Sequence, residues 1–233
     1  MKNLLEVKNL SKSYDGLEII ADVSFSLGDH EIAAIVGPSG CGKSTILNIV
    51  AGLTGDYSGS IVNKAERTGY VFQEDRILPW LTVYDNIKLV RDKEDSDRIN
   101  DLIARVKLQG FEKFYPDKLS GGMKQRCGIA RAFYYGSNLL LMDEPFKSLD
   151  VKLRNELLEV LYDLWKEEKV SVLFVTHDIE EALRVAGKIL VMGNRPTFVK
   201  KEIILPETDG LRNLKNEVMM GYMNEIMGQL IEE

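Results

Sequence analysis

Val23, Phe25 and Leu27 alternate with Ser24 and Ser26, the period of a strand with one buried face. Directly after it, Ile32 to Val36 is wholly apolar and ends at Gly37, a pattern for a strand buried on both faces and stopped by a turn. From Lys43 to Ala51 the spacing changes to helical, with Ile46, Leu47, Ile49 and Val50 apolar and Gly52 as a stop. Three more buried strands are expected at Thr68–Phe72, Leu139–Asp143 and Ser171–Thr176. Helical patterns lie between them. Asp150 to Lys169 carries Leu153, Leu157, Leu161 and Leu164 on one face with Asp150 as N-cap. Asp178 and Glu181 have capping-box spacing ahead of a short helix that Gly187 ends. Alternating strands and helices imply an α/β fold around a largely parallel sheet. The stretch from Glu74 to Lys118 lacks a buried-strand run and reads as helices, interrupted by the charged loop Arg91–Arg98 and by Pro116. Leu211, Leu214, Val218, Tyr222, Ile226 and Leu230 predict a C-terminal helix packed on its own domain.

The chain of 233 residues is 45% hydrophobic and 28% charged, a composition that supports a full core and excludes a disordered or disulfide-scaffold protein. The longest purely apolar run is the five residues Ile32–Val36, too short to span a bilayer, and Met1–Ser11 has no signal-peptide core. Two cysteines, Cys41 and Cys127, and two histidines, His30 and His177, provide no metal-binding spacing and point to a reducing, cytoplasmic setting. With 30 basic residues interleaved among 36 acidic ones and a net charge of −6, nucleic acid is not an expected partner.

The candidate chemistry begins at Gly37-Pro38-Ser39-Gly40-Cys41-Gly42-Lys43-Ser44, which fits G-x-x-x-x-G-K-S/T. Glycines let successive backbone N–H groups face phosphate oxygens, the following helix adds its positive dipole end, Lys43 reaches the β and γ phosphates, and Ser44 can hold Mg2+. Such a string arises by chance in roughly one chain of this length in a hundred, and a strand before it with a helix after it makes a mere flexible turn a poor explanation. Asp143 and Glu144 close an apolar strand, where one carboxylate can hold Mg2+ and the other polarise an attacking water. Asn63-Lys64-Ala65-Glu66 only echoes a guanine-reading motif and reads as a surface turn. Ser120, Gly121 and Gly122 ahead of the helical run Cys127–Tyr135 form a second candidate anion site. One ATP does not need both within a single chain, whereas a head-to-tail dimer uses each.

In these motifs and their order the sequence resembles the ATP-binding-cassette ATPases over nearly all its length. Gly37–Ser44 with Thr45 matches Walker A, and Ser120-Gly121-Gly122 matches the LSGGQ signature, with Met123 in place of its terminal Gln. Asp143 and Glu144 match Walker B and its catalytic glutamate, and Ser148-Leu149-Asp150 matches the D-loop. His177 matches the switch histidine, Gln73 the Q-loop glutamine, and Tyr14 the ring that stacks on adenine. The resemblance implies a P-loop NTPase core with a mixed sheet, an N-terminal antiparallel β region and an inserted α-helical subdomain. The core would cover about 1–73 and 137–233, and the subdomain about 74–136. It implies ATP and Mg2+ as ligands, with Lys43, Gln73, Glu144 and His177 catalytic, Tyr14 and Asp150 among the nucleotide contacts, and Ser44, Gln73 and Asp143 at the metal.

Gln73–Trp80 with Thr82, Asp85 and Asn86 is most similar to ATPase subunits of nitrate/sulfonate/taurine-type importers. That implies a homodimer with ATP at its interface and two transmembrane permease subunits on the cytoplasmic face of the membrane. A solute-binding protein would act indirectly. The competing readings are an export or lipoprotein-release cassette, a soluble cassette acting on DNA or ribosomes, and a nonhydrolysing assembly subunit. The absence of coiled-coil insertions and of a second cassette weighs against the soluble type, and Glu144 with His177 against the nonhydrolysing one.

Overall fold

The computed structural model describes residues 3–147 and 149–231. Strands β1 (Asn3–Tyr14) and β2 (Leu17–Gly28) form an antiparallel hairpin. Helix α1 (Lys43–Val50) lies between β3 (Ile32–Val36) and β4 (Ser58–Asn63), and β4 completes a three-stranded sheet in the order β2-β1-β4. Val23, Phe25 and Leu27 are buried, as the alternation predicts.

Strands β5 (Thr68–Val71), β6 (Leu139–Asp143), β7 (Ser171–Thr176), β8 (Lys188–Met192) and β9 (Val199–Ile204) join β3 in a second sheet. Its order is β5-β6-β7-β3-β8-β9, parallel throughout except for β9, which returns antiparallel along β8. Every residue of β3, β6, β7 and β8 is buried because both faces of this sheet are covered. Ala33, Ile35, Leu141, Leu173 and Val175 pack on one face with α1 and the antiparallel sheet. Ile32, Ala34, Val36, Met142 and Phe174 pack on the other. That second face receives α2 (Val83–Lys88), α3 (Ser96–Arg105), α4 (Gly121–Tyr135), α5 (Val151–Glu168), α6 (Ile179–Val185) and α7 (Glu217–Ile231). The result is an α/β fold with a mixed sheet, an antiparallel N-terminal sheet, and helices α2–α4 inserted between β5 and β6.

Several local expectations change. Helix α4 starts at Gly121 rather than Cys127, because Ser120 caps it by accepting from Met123 N–H at 3.3 Å. Helix α6 ends before Gly187: Ala186 is already extended, and the Gly187 N–H donates to the Ile32 carbonyl at 2.8 Å. Leu211 and Leu214 precede α7 and pack on the core with Tyr222, Ile226 and Leu230 as predicted, but Val218 is 60% exposed and its neighbour Met219 is buried in its place. The charged loop ends early, since Asp95 caps α3 and Arg98 already pairs with Asp101 and Glu168. Pro116 opens a short 3-10 turn, where its missing N–H costs nothing. Ser148 of the D-loop match, and Met1 and Lys2 of the leader reading, lie outside the described residues.

Arg212 fastens the C-terminal segment to this core. Its buried guanidinium donates to the Leu183 and Ala186 carbonyls at 3.2 and 2.7 Å, and to the Pro206 carbonyl at 3.2 and 2.7 Å. Arg212→Ala leaves those carbonyls unpaired and should cost about 2–4 kcal/mol. A lowered urea midpoint with faster amide exchange in α6 and α7 is the expected result, and an unchanged midpoint would refute the role.

Candidate active site

The loop Gly37–Gly42 leaves the C-terminal end of β3 and enters α1. Lys43, only 4% exposed, folds back over it and donates to the Gly37 and Pro38 carbonyls, both at 2.8 Å. Gly42 has φ +118°, and a β-carbon there would stand 3.1 Å from Ile19 Cγ2, so the position excludes other residues on both counts. A β-carbon on Gly37 would come within 2.8 Å of Met192 Cβ. Cys41 is buried, Pro38 and Thr45 are half-buried, and Ser39 and Gly40 form the exposed tip.

Strand β6 brings the acidic pair to the same edge. Ser44 Oγ donates to Asp143 Oδ1 at 3.0 Å. Burial pushes the Asp143 carboxyl above the usual range, and the Ser44 hydroxyl offsets only part of this. Glu144 adopts φ +44°, a left-handed conformation that costs a non-glycine residue about 1–2 kcal/mol, and its N–H is anchored on the Val175 carbonyl at 2.9 Å. One carboxylate oxygen of Glu144 lies 2.9 Å from Lys147 Nζ and 3.5 Å from both Gln73 Nε2 and His177 Nδ1. Burial alone would raise Glu144, but its hydrogen bond to Lys147 and the charges of Lys147, His177 and Lys43 outweigh it and hold the carboxyl below its ordinary value. Lys43, Ser44, Gln73, Asp143, Glu144 and His177 are thus brought to one sheet edge. Gln73 reaches Glu144 rather than Asp143 or Ser44.

The remaining expected residues stand apart. Tyr14 ends β1 with its ring 45% exposed and Lys12 Nζ 4.7 Å from the ring centroid. Lys12 is itself tied to the Gly55 and Asp56 carbonyls at 3.0 and 2.7 Å. Ser120 and Gly121 are exposed, Gly122 is half-buried, and Met123 packs on the helical side of the core. Among the described residues no hydrogen bond or ion pair joins this turn to the Gly37–Ser44 loop. Asp150 caps α5, accepting from Leu153 N–H at 3.0 Å.

Sequence reasoning overlooked Lys147, Arg154 and the true setting of Glu181. Asp178 does cap α6, but the Glu181 side chain turns inward instead of completing a capping box. It accepts from Thr176 Oγ at 2.6 Å and faces Arg154 Nε at 3.5 Å, while Arg154 also pairs with Asp178 at 2.5 Å. The usable sequence signal was Arg154 one turn into a helix capped by Asp150, but its partners are set only by the packing of α5 on α6.

The ABC transporter family profile matches residues 20–147. The chain belongs to the ABC transporter family. It is 42% identical to an aliphatic sulfonates import ATP-binding protein, SsuB, of Bacillus cereus strain ATCC 10987, over 84% of this chain and 82% of that one. It is 41% identical to SsuB 1 of Pseudomonas savastanoi pv. phaseolicola, over 87% and 86%. Among solved structures, a dimeric post-hydrolysis state of the ATP-binding cassette MJ0796 bound to ADP and Pi superposes with a TM-score of 0.78. It is 28% identical and covers 88% of this chain and 100% of that one. A second dimeric MJ0796 structure gives 0.78 at 29% identity over the same shares. As a member of this family, the chain is an ATP-binding, ATP-hydrolysing subunit of a transporter.

The Glu181 carboxyl yields a measurable consequence. Burial, opposed by the Thr176 hydrogen bond and Arg154, pushes its pKa up to about 7. A carboxyl whose folded value exceeds its unfolded one makes folding less favourable as pH rises from about 4.5 through about 7. Glu181→Gln cannot ionise, so its melting temperature relative to wild type should be higher at about pH 8 than at about pH 5. A constant difference across that range would show that Glu181 does not titrate there.

Proposed function

We propose that this ATPase works as a pair of copies bound head to tail on two transmembrane permease subunits at the cytoplasmic face of the membrane. In this reading it drives uptake of a sulfonate- or nitrate-type anion delivered by a solute-binding protein. The observation that carries the catalytic part is the meeting of Lys43, the Ser44–Asp143 pair, Glu144 and His177 at the ends of three neighbouring strands. Backbone N–H groups of the Gly37–Ser44 loop, Pro38 excepted, and of Thr45 hold the phosphates, and Lys43 leaves the two carbonyls it now bonds to meet them. Tyr14 offers an exposed ring for the adenine.

Among the described residues no group of three or more His, Cys, Asp or Glu side chains could hold a metal ion. Magnesium needs no such group: Ser44 and Asp143 are hard oxygen donors 3.0 Å apart, and Mg2+ completes its shell with phosphate and water oxygens. Gln73 stands at the neighbouring position. Held there, such an ion would supply charge neutralisation to the phosphate oxygens. Glu144, held ionised by Lys147, accepts a hydrogen bond from the attacking water, and His177 stands beside it to contact the γ-phosphate. Ser120, Gly121 and Gly122 of the other copy, with its Asp150, close the far side of the nucleotide.

Transport is supported by the SsuB relatives and by the segment after Gln73, where Trp80 stands 68% exposed. No helix among the described residues is long and apolar enough to cross a membrane.

Glu144→Gln should leave ATP binding intact and lower phosphate release by about 100-fold or more, while unchanged release would remove Glu144 from the reaction. The same variant, tagged and extracted from source membranes with Mg-ATP, should carry a multi-span membrane protein identifiable by mass spectrometry. Recovery of soluble proteins alone would overturn the transport assignment and leave the ATPase chemistry standing.

A further inference from the structure

The turn between β8 and β9 runs past the phosphate loop, and the assignments above give it no task. It is firmly held. Thr197 is fully buried, its N–H donates to the Ile19 carbonyl at 2.8 Å, and its carbonyl accepts from Ala21 N–H at 2.8 Å. Thr197 Oγ donates to the Gly193 carbonyl at 3.0 Å, and Gly193 N–H to the Phe198 carbonyl at 3.0 Å. Thr197 Cγ2 would touch a β-carbon on Gly42 at 3.4 Å, and Met192 at the end of β8 crowds Gly37. The segment is therefore one wall of the phosphate loop.

From this wall Arg195 lays its guanidinium against the loop tip, with Nη2 3.6 Å from where a β-carbon on Gly40 would stand. Arg195 is exposed, and among the described residues it makes no hydrogen bond and no ion pair. Arginine carries its charge at every relevant pH. A fixed positive charge set by a rigid turn on the rim of a loop whose N–H groups suit phosphate adds to the attraction for an anion there.

We propose that Arg195 is a nucleotide-binding residue, a second cation beside Lys43 that engages the polyphosphate of the nucleotide in the Gly37–Ser44 loop. The proposal rests on the phosphate-loop assignment above. Its ligand is the polyphosphate, because Gly40 belongs to the loop whose backbone N–H groups suit phosphate. Its distance from Lys43 and Glu144 in the chain places it outside the motifs, and the parallel run of β8 beside β3 brings its turn to the same edge.

The test titrates the purified chain with a fluorescent non-hydrolysable ATP analogue and with fluorescent ADP, comparing wild type with Arg195→Ala, Arg195→Lys and Lys43→Ala. At about 50 mM salt, Arg195→Ala should weaken the triphosphate by about 5-fold and the diphosphate less, with Arg195→Lys retaining most of the affinity. At about 500 mM salt the difference should largely vanish, as an exposed charge interaction is screened. Wild-type affinity in Arg195→Ala at low salt would overturn the proposal. So would equal losses in the Ala and Lys variants, which would mark a structural role, or an effect confined to ATP-driven dimerisation, which would make the partner copy its target. Full binding by Lys43→Ala would instead overturn the phosphate-loop assignment on which the proposal stands.

Discussion

Strands β6, β7 and β3 lie side by side, all parallel, and their register decides what the loops beyond them can do. Asp143 is level with Val175, and Val36 with Thr176, so the phosphate loop, the acidic pair and the His177 turn all leave the sheet at one edge. Ser44 and Asp143, 99 residues apart in the chain, bond at 3.0 Å for that reason. Reversing any one of these strands would send its loop to the opposite end. The arrangement needs long crossovers between parallel neighbours, and α5 and the helices inserted between β5 and β6 supply them on one face while α1 covers the other. Because β8 is parallel as well, the turn into β9 arrives at the same edge.

That edge concentrates carboxylates in partly buried surroundings, and the fold answers each one differently. Asp143 is pushed up by burial, with only a neutral hydroxyl as its near partner. Glu144, the next residue, is held down by a neighbouring ammonium. Two adjacent acids with opposite shifts suit two tasks, a cation ligand whose charge awaits its ion and a base that stays ionised at neutral pH. The left-handed backbone at Glu144 is what separates them: it lets consecutive residues leave a strand end with different surroundings, at a local conformational cost that the Val175 hydrogen bond helps to offset.

The core of this arrangement was legible in the sequence because it rests on short-range patterns. Apolar runs gave β3, β6 and β7 to the residue, and period-2 spacing gave β2. Strand β4 was not legible, since its Ser58-Gly59-Ser60 start is exposed and carries no apolar alternation. Val218 was misplaced because Met219, one position on, is apolar as well and takes the core side instead. The phosphate loop and the acidic pair could be found from residue types and spacing. Lys147, Arg154, Glu181 and Arg195 could not, because their surroundings are set by packing between elements distant in sequence. Even the Asp178–Glu181 spacing was informative for the cap and misleading for the glutamate, whose side chain follows Thr176 inward.

One chain holds two sets of groups suited to phosphate, and the fold keeps them apart. The Gly37–Ser44 loop sits at the sheet edge, whereas Ser120 and Gly121 are exposed at the start of α4 on the helical insertion. Each alone leaves one side of a bound triphosphate to water. A nucleotide shared between two such surfaces binds the joined state better than the separate one, and only that difference in affinity can drive closure. In the proposed head-to-tail pair the γ-phosphate is the part that would reach across, and its cleavage at the sheet edge would remove the contact that favours the joined state. In that proposed pair the residues that would hydrolyse ATP and those that would sense it as a bridge are distinct, and the helices carrying the second set would be the lever toward the proposed membrane subunits.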